Sequence, residues 1–171
     1  MTVMLHHVSI GVADVERAAN FYDAVLGALG FKRMAEYLPY AVAYGDTGYS
    51  FWVQLPSDRN PARAGNGSHI AFNAKNKRAV QSFHSAALEA GGTDEGAPGP
   101  RPEYSPDYYG AFVRDLDGNK IEAVVVMEVL PAAAPAKPKA RKKATPKKSA
   151  KAKSTVRRKK ARPAKRKAKR R

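Results

Sequence analysis

Residues 7–30 align with residues 69–92 without a gap, at an offset of 62. His7 meets His69, Ile10 meets Phe72, Asp14 meets Asn76, Phe21 meets Phe83, Leu26 meets Leu88 and Gly30 meets Gly92. Such a repeat constrains the fold more than composition does, because each copy is then one supersecondary unit that buries its apolar face against its twin. Each copy opens with alternating large apolar residues, the period of a strand. Val8, Ile10 and Val12 face one side in the first copy, with His7, Ser9 and Gly11 opposite. In the second copy Ile70, Phe72 and Ala74 take the apolar side, and His69, Ala71 and Asn73 the other. A helix follows each strand. Asp14 is an N-cap, after which Val15, Ala18, Tyr22, Val25 and Leu29 keep helical spacing up to Gly30. Its counterpart starts near Asn76, carries Val80, Phe83, Ala87 and Leu88 on one stripe and stops at Gly91 and Gly92.

Extended stretches at 31–37, 40–45 and 49–55 complete the first copy, the last two joined by a tight turn at Asp46, Thr47 and Gly48. The second copy ends with 109–115, a turn at Asp117, Gly118 and Asn119, and 120–129. Aligning Gly48 with Gly118 needs an offset of 70, so the second copy carries about eight extra residues. These are assigned to 93–107, where Pro98, Pro100, Pro102 and Pro106 predict a long irregular loop with at most a short strand. Residues 60–67 link the copies. The expected fold is α+β: two tandem βαβββ modules, at about 1–60 and 67–130, forming a curved sheet with a cleft.

Charge divides the chain at the end of the second copy. Residues 131–171 hold 20 Lys and Arg among 41 residues, with 11 Ala, 5 Pro and no acid, aromatic, His or Gly. Residues 1–130 hold 11 basic and 15 acidic side chains, a net charge of −4. A segment with so little to bury cannot offset the entropy of ordering, and its like charges keep it extended, so 131–171 is read as a disordered tail. Runs such as Lys142-Lys143, Lys147-Lys148 and Arg157-Arg158-Lys159-Lys160 would displace counterions from a polyanion, which predicts salt-sensitive, sequence-blind association with DNA or RNA. A freely solvated, solubilising tail is the plainer reading. No run of 18 apolar residues occurs, so no membrane span is expected, and no secretory signal is apparent at the start. Absence of Cys removes disulfides, thiolate metal sites and Cys nucleophiles, and fits a cytoplasmic protein, with nucleoid association open through the tail.

His7, His69 and Glu122 lie on the non-core faces of their strands, since Ile121, Ala123 and Val125 would face the helices. The two histidines are equivalent under the offset of 62, and Glu122 is equivalent to Trp52 under the offset of 70. If two half-sheets close around one cleft, the three converge as a 2-His-1-carboxylate set suited to a divalent ion, with positions left for substrate. Otherwise each is an ordinary strand polar residue. His6, by alternation, points to the core, and His84 lies beside the apolar stripe of its helix, which suits structural roles. No Walker-type loop and no placement suggesting a Ser-His-Asp triad is present.

These motifs resemble the vicinal oxygen chelate superfamily of glyoxalases, extradiol dioxygenases, fosfomycin-resistance transferases and bleomycin-resistance proteins. The resemblance spans about residues 3–129. It rests on 7–12 with Asp14, Phe21 and Tyr22, on Leu29-Gly30-Phe31, on 67–72, and most specifically on 112–122. The family pattern there runs Asp-Pro-Asp-Gly-Asn-x-Ile-Glu, and this chain departs from it in having Leu116 for Pro. The resemblance implies a divalent ion (Fe, Mn, Zn, Ni or Mg) on His7, His69 and Glu122. It also implies a lyase, isomerase or dioxygenase type of reaction on a small oxygenated substrate, and a homodimer in which His69 joins the other two ligands from a neighbouring chain if one chain does not complete the site. Glyoxalase I enzymes usually add an acid on the fourth strand, whereas 49–54 has none, which disfavours a lactoylglutathione lyase. Trp52, Gln54, Arg101, Tyr104 and Tyr108 are expected along the cleft, with Tyr109 as candidate catalytic residue. The alternatives are a binding protein that sequesters a small, antibiotic-like molecule, and a DNA-associated protein whose tail is its main functional element.

Overall fold

The computed structural model describes residues 5–126, so the basic tail and its Lys and Arg runs lie outside the described residues. Ten elements follow in order: β1 Val8–Gly11, α1 Val15–Gly27, β2 Lys32–Tyr37, β3 Ala41–Gly45, β4 Tyr49–Gln54, β5 His69–Asn73, α2 Lys77–Glu89, β6 Thr93–Pro100, β7 Tyr108–Arg114 and β8 Lys120–Val126. They form two four-stranded sheets, β1-β4-β3-β2 and β5-β8-β7-β6, with β1–β4 and β5–β8 the parallel pairs. This is the expected α+β arrangement of two βαβββ modules.

Local chemistry accounts for the helices. The Asp14 carboxylate accepts from the Arg17 backbone N–H at 2.9 Å and the Asn76 side chain from Ala79 N–H at 2.9 Å, each satisfying a donor the first turn leaves open. Past the two helix ends, Gly30 and Gly91 adopt φ of +92° and +93°, where an L side chain is strained. One core serves both modules: Phe21, Tyr22, Val25 and Leu26 of α1 are buried together with Val80, Phe83 and Ala87 of α2, and Phe51 meets Phe72 with ring centroids 5.1 Å apart. Burying side chains of this size contributes about 1.5–3 kcal/mol each.

Polar contacts lock the modules at the β7–β8 turn. Asp115, 5% exposed, accepts from the Tyr22 hydroxyl at 2.7 Å and from the Asn119 and Asp117 backbone N–H groups. Asp117 accepts from Ala13 N–H at 2.9 Å, and the Asn119 amide donates to the Gly11 carbonyl at 3.3 Å. Burial, followed by the neighbouring Asp115 carboxylate, pushes the Tyr22 phenol well above its ordinary range, so it remains a donor. No helix among the described residues is long and apolar enough to cross a membrane.

Two expectations need correcting. The segment 93–107 opens with an eight-residue strand, β6. Its prolines are tolerated because β6 is the sheet edge and its pairing with β7 is broken twice, between Asp94 and Gly96 and between Gly96 and Gly99. The extra residues also do not all fall there. Ser9 pairs with Trp52 and Ala71 with Glu122, as the offsets of 62 and 70 require. Ala41, however, pairs with Gln54 and Gly110 with Val124, an offset of 69 between β3 and β7. One added residue therefore belongs to the β7–β8 hairpin.

Candidate metal centre

His69 stands at the start of β5 and Glu122 in β8, the neighbouring strand. The parallel register sets Ala71 against Glu122, and from there the carboxylate reaches back to the histidine: His69 Nε2 lies 3.3 Å from Glu122 Oε2. The Glu122 side chain is 1% exposed, whereas that of His69 is 48% exposed. Glu122 Oε1 accepts from the Tyr108 hydroxyl at 2.7 Å. Burial, then this hydrogen bond and the carboxylate charge, push the Tyr108 phenol up, so Tyr108 is a donor and not a base at neutral pH. Gly110 makes the room. A Cβ there would stand 2.7 Å from Glu122 Oε1, a distance that side chains do not show.

His7 is not in this group. It precedes β1, and among the described residues no three His, Asp or Glu side chains gather as a metal-holding set. The convergence of His7, His69 and Glu122 within one chain is thus corrected, and so is the grouping of His69 apart from the other two. His7 lines a cavity of about 300 Å³ with His6, Phe51, Ile70, Ala71 and Phe72. His6 is exposed, not core-facing: β1 begins at Val8, so strand alternation does not reach it. Its Nδ1 lies 2.8 Å from His7 Nδ1.

The remaining residues divide by strand face. Tyr109 packs on the helix side, its hydroxyl accepting from Gln81 Nε2 at 3.3 Å and its ring lying under the Lys77 ammonium at 5.2 Å, opposite the face that carries Tyr108. The period of two explains this: Tyr109 shares a face with the buried Ala111 and Val113. It has no contact with Glu122, which corrects the choice of Tyr109 as the catalytic tyrosine of that site. Arg101 folds back on its own strand, donating to the carbonyls of Ala97 at 2.8 Å and Pro100 at 3.1 Å with its guanidinium over Phe112. Tyr104 is exposed, its ring edge-on to Tyr108 at 5.1 Å. Trp52 stacks on Tyr37 at 6.2 Å and meets Tyr49 at 5.1 Å. Gln54 lines an open polar pocket of about 660 Å³ with Ser9, Gly11, Asn60 and Arg63. His84 pairs through Nε2 with Asp94 Oδ1 at 3.0 Å, tying α2 to β6. Gly110, which sequence reasoning missed, has no signal beyond a glycine inside a strand.

The donor chemistry fits a divalent transition ion. Imidazole nitrogen and carboxylate oxygen bound at about 2.1 Å stand roughly 3.0–3.4 Å apart around one ion. The 3.3 Å between His69 and Glu122 falls there, just beyond the usual hydrogen-bond range. Two donors alone do not make a centre.

The model for the Glyoxalase/Bleomycin resistance protein/Dioxygenase superfamily matches residues 4–123. A glyoxalase/bleomycin resistance protein from Albidiferax ferrireducens is 38% identical in sequence, with a TM-score of 0.65, covering 71% of this chain and 98% of its own. A glyoxalase-related enzyme from Fulvimarina pelagi shares the fold at 21% identity and a TM-score of 0.57, with 72% and 88% covered. Lactoylglutathione lyase from Agrobacterium tumefaciens does so at 17% identity and a TM-score of 0.52, with 72% and 93% covered. None of the curated proteins compared with the chain matches it.

Proposed function

The chain belongs to the glyoxalase/bleomycin resistance protein/dioxygenase superfamily, and on that premise we propose that it is a metal-dependent enzyme of lyase, isomerase or dioxygenase type acting on a small oxygenated substrate. The observation that carries this reading is the buried Glu122 carboxylate 3.3 Å from His69 Nε2. A buried carboxylate is costly to keep without compensating positive charge. His69 and Glu122 of one copy would hold the ion together with His7 of a second copy in a dimeric assembly.

When bound, a divalent ion supplies Lewis acidity to charge developing on two adjacent substrate oxygens. This chain's own residues do the rest. Tyr108 donates to Glu122 Oε1, and Oε2, beside His69, would be the oxygen that holds the ion. The partly buried Trp52, with Tyr37 and Tyr49, offers an aromatic wall against which a substrate can pack and exclude water. That wall also favours a second reading, in which it holds a planar small molecule without turnover. In either case the tail at 131–171 associates with DNA or RNA through its charge.

Metal analysis tests the first reading. Purified full-length protein is expected to take up one divalent transition ion per chain, and His69→Ala to take up none. Equal uptake by both, or none by either, removes it. For the tail, DNA affinity of the whole chain should fall steeply with salt, while residues 1–130 bind weakly at every salt concentration; equal affinity removes that part.

A further inference from the structure

On the sheet face that carries Glu122, strand alternation also places Phe112 and Arg114 of β7 and Lys120 of β8, with Phe112 paired to Glu122 and Arg114 to Lys120. Arg101, just past β6, joins them. Its guanidinium lies 5.5 Å from the Phe112 ring centroid, and the Lys120 ammonium lies 5.0 Å from the same centroid, where the ring attracts both charges. Arg114 and Lys120 share one acid, Glu95, at 2.5 and 3.6 Å. Arg101 has no acid partner among the described residues. It donates to the carbonyls of Ala97 and Pro100, and its remaining N–H groups have no partner there. In this group of contacts three cations face two acids, Glu95 and the buried Glu122. That positive excess runs against the net charge of −4 over residues 1–130. Two glycines seat the guanidinium: a Cβ at Gly99 would stand 3.0 Å from Arg101 Nη1, and one at Gly96 3.3 Å from Nη2. The carbonyls, the ring and the bare glycines together hold a planar donor fork in place before any ligand arrives.

We infer that Arg101 receives an oxyanion, so that this face of the second module binds a small organic anion by its carboxylate or phosphoryl group. A guanidinium fork meets either group with parallel N–H···O bonds, which an ammonium cannot do. Because the fork is already held, less ordering is lost on binding. Lys120 and Arg114 add positive potential beside it. His69 borders the same ring, with centroids 6.4 Å apart, so a molecule anchored at Arg101 has its other end toward His69 and Glu122. The inference rests on the reading above for that reacting end of the substrate; the anion site itself needs no ion.

The test titrates full-length protein, stripped of metal and dialysed, with glycolate, methyl phosphate and uncharged ethylene glycol in a constant chloride background. NMR reads the Phe112 and Gly99 amides, and the tail is present in every arm. Saturable shifts are expected with glycolate or methyl phosphate and none with ethylene glycol, and the tighter of the two anions names the group. Arg101→Ala should weaken binding about 10-fold or more. Arg101→Lys should restore only part of it, since it keeps the charge without the fork. Gly99→Ala, which keeps the charge and displaces the guanidinium, should weaken it as well. Arg78→Ala, which removes an exposed cation of α2, should leave it unchanged. No saturable shift with either anion, equal shifts with ethylene glycol, unchanged binding in Arg101→Ala, or an equal loss in Arg78→Ala would overturn the anion site. Protein that takes up a metal ion and shows no anion shifts loses this inference and keeps the metal reading. Anion binding at Arg101 by protein that takes up no metal does the reverse.

Discussion

The two modules share a fold plan and differ where chemistry is expected. At equivalent places beside the first strand the first module has Trp52 and the second Glu122, and on the next strand Ala41 is the counterpart of Gly110, paired with Gln54 and Val124 respectively. Gly110 lacks the methyl that Ala41 carries, and a Cβ there would stand 2.7 Å from Glu122 Oε1. On the side toward the core the modules are alike, Phe21 answering Phe83 and Val25 answering Ala87, all buried. A duplicated unit thus keeps its core, which both halves need in order to pack, and diverges on the face that carries no packing obligation. The divergence is specific: one face becomes an aromatic wall with a histidine pair, the other a buried carboxylate with its histidine and tyrosine.

The largest effect is expected from the tie that holds the modules together. Asp115→Ala leaves the Tyr22 hydroxyl and the Asp117 and Asn119 backbone N–H groups without their acceptor, at a cost of about 3 kcal/mol or more. The thermal midpoint should drop by on the order of 10 °C, measured by calorimetry. Next comes Glu122→Gln, which keeps an acceptor for Tyr108 but gives the second module a neutral face like the first. Metal affinity should fall by about 100-fold, while the metal-free midpoint should hold or rise, since a buried charge is removed. Gly110→Ala drives a methyl into the Glu122 carboxylate, costing about 1–3 kcal/mol and weakening metal binding about tenfold. The reciprocal Ala41→Gly should leave metal binding unchanged. Smallest is Tyr108→Phe: it frees Glu122 Oε1, and a few-fold loss of metal affinity is expected with little change in stability. Isothermal titration on the same protein preparations ranks all four.

Much of this comparison is legible in the sequence. The offset of 62 pairs both helices, their Asp14 and Asn76 caps and both first strands, because periodicity and capping are local properties. Strand β6 is missed because Pro98 and Pro100 argue against a strand, and its tolerance of them depends on being an edge, which only the assembled sheet decides. Alternation along β7 already separates Tyr108 from Tyr109, yet position at the strand start singles out Tyr109, which packs toward the helix. The burial of Glu122 is not legible: it depends on Tyr108 and the missing side chain of Gly110 coming from another strand. His6 is misjudged because alternation is extended past the end of β1 at Val8.

Mixing two variants tests most directly whether the donors of the two modules meet between copies. His7→Ala keeps the second module's donors, and Glu122→Ala keeps the first's; neither alone should retain metal. After unfolding and refolding together in equal amounts, half the dimers are mixed and each rebuilds one intact centre. Tightly bound metal should then return to about one quarter of the wild-type amount per chain. No recovery on mixing, with wild-type protein refolded alongside regaining its full metal, would contradict a centre shared between two copies.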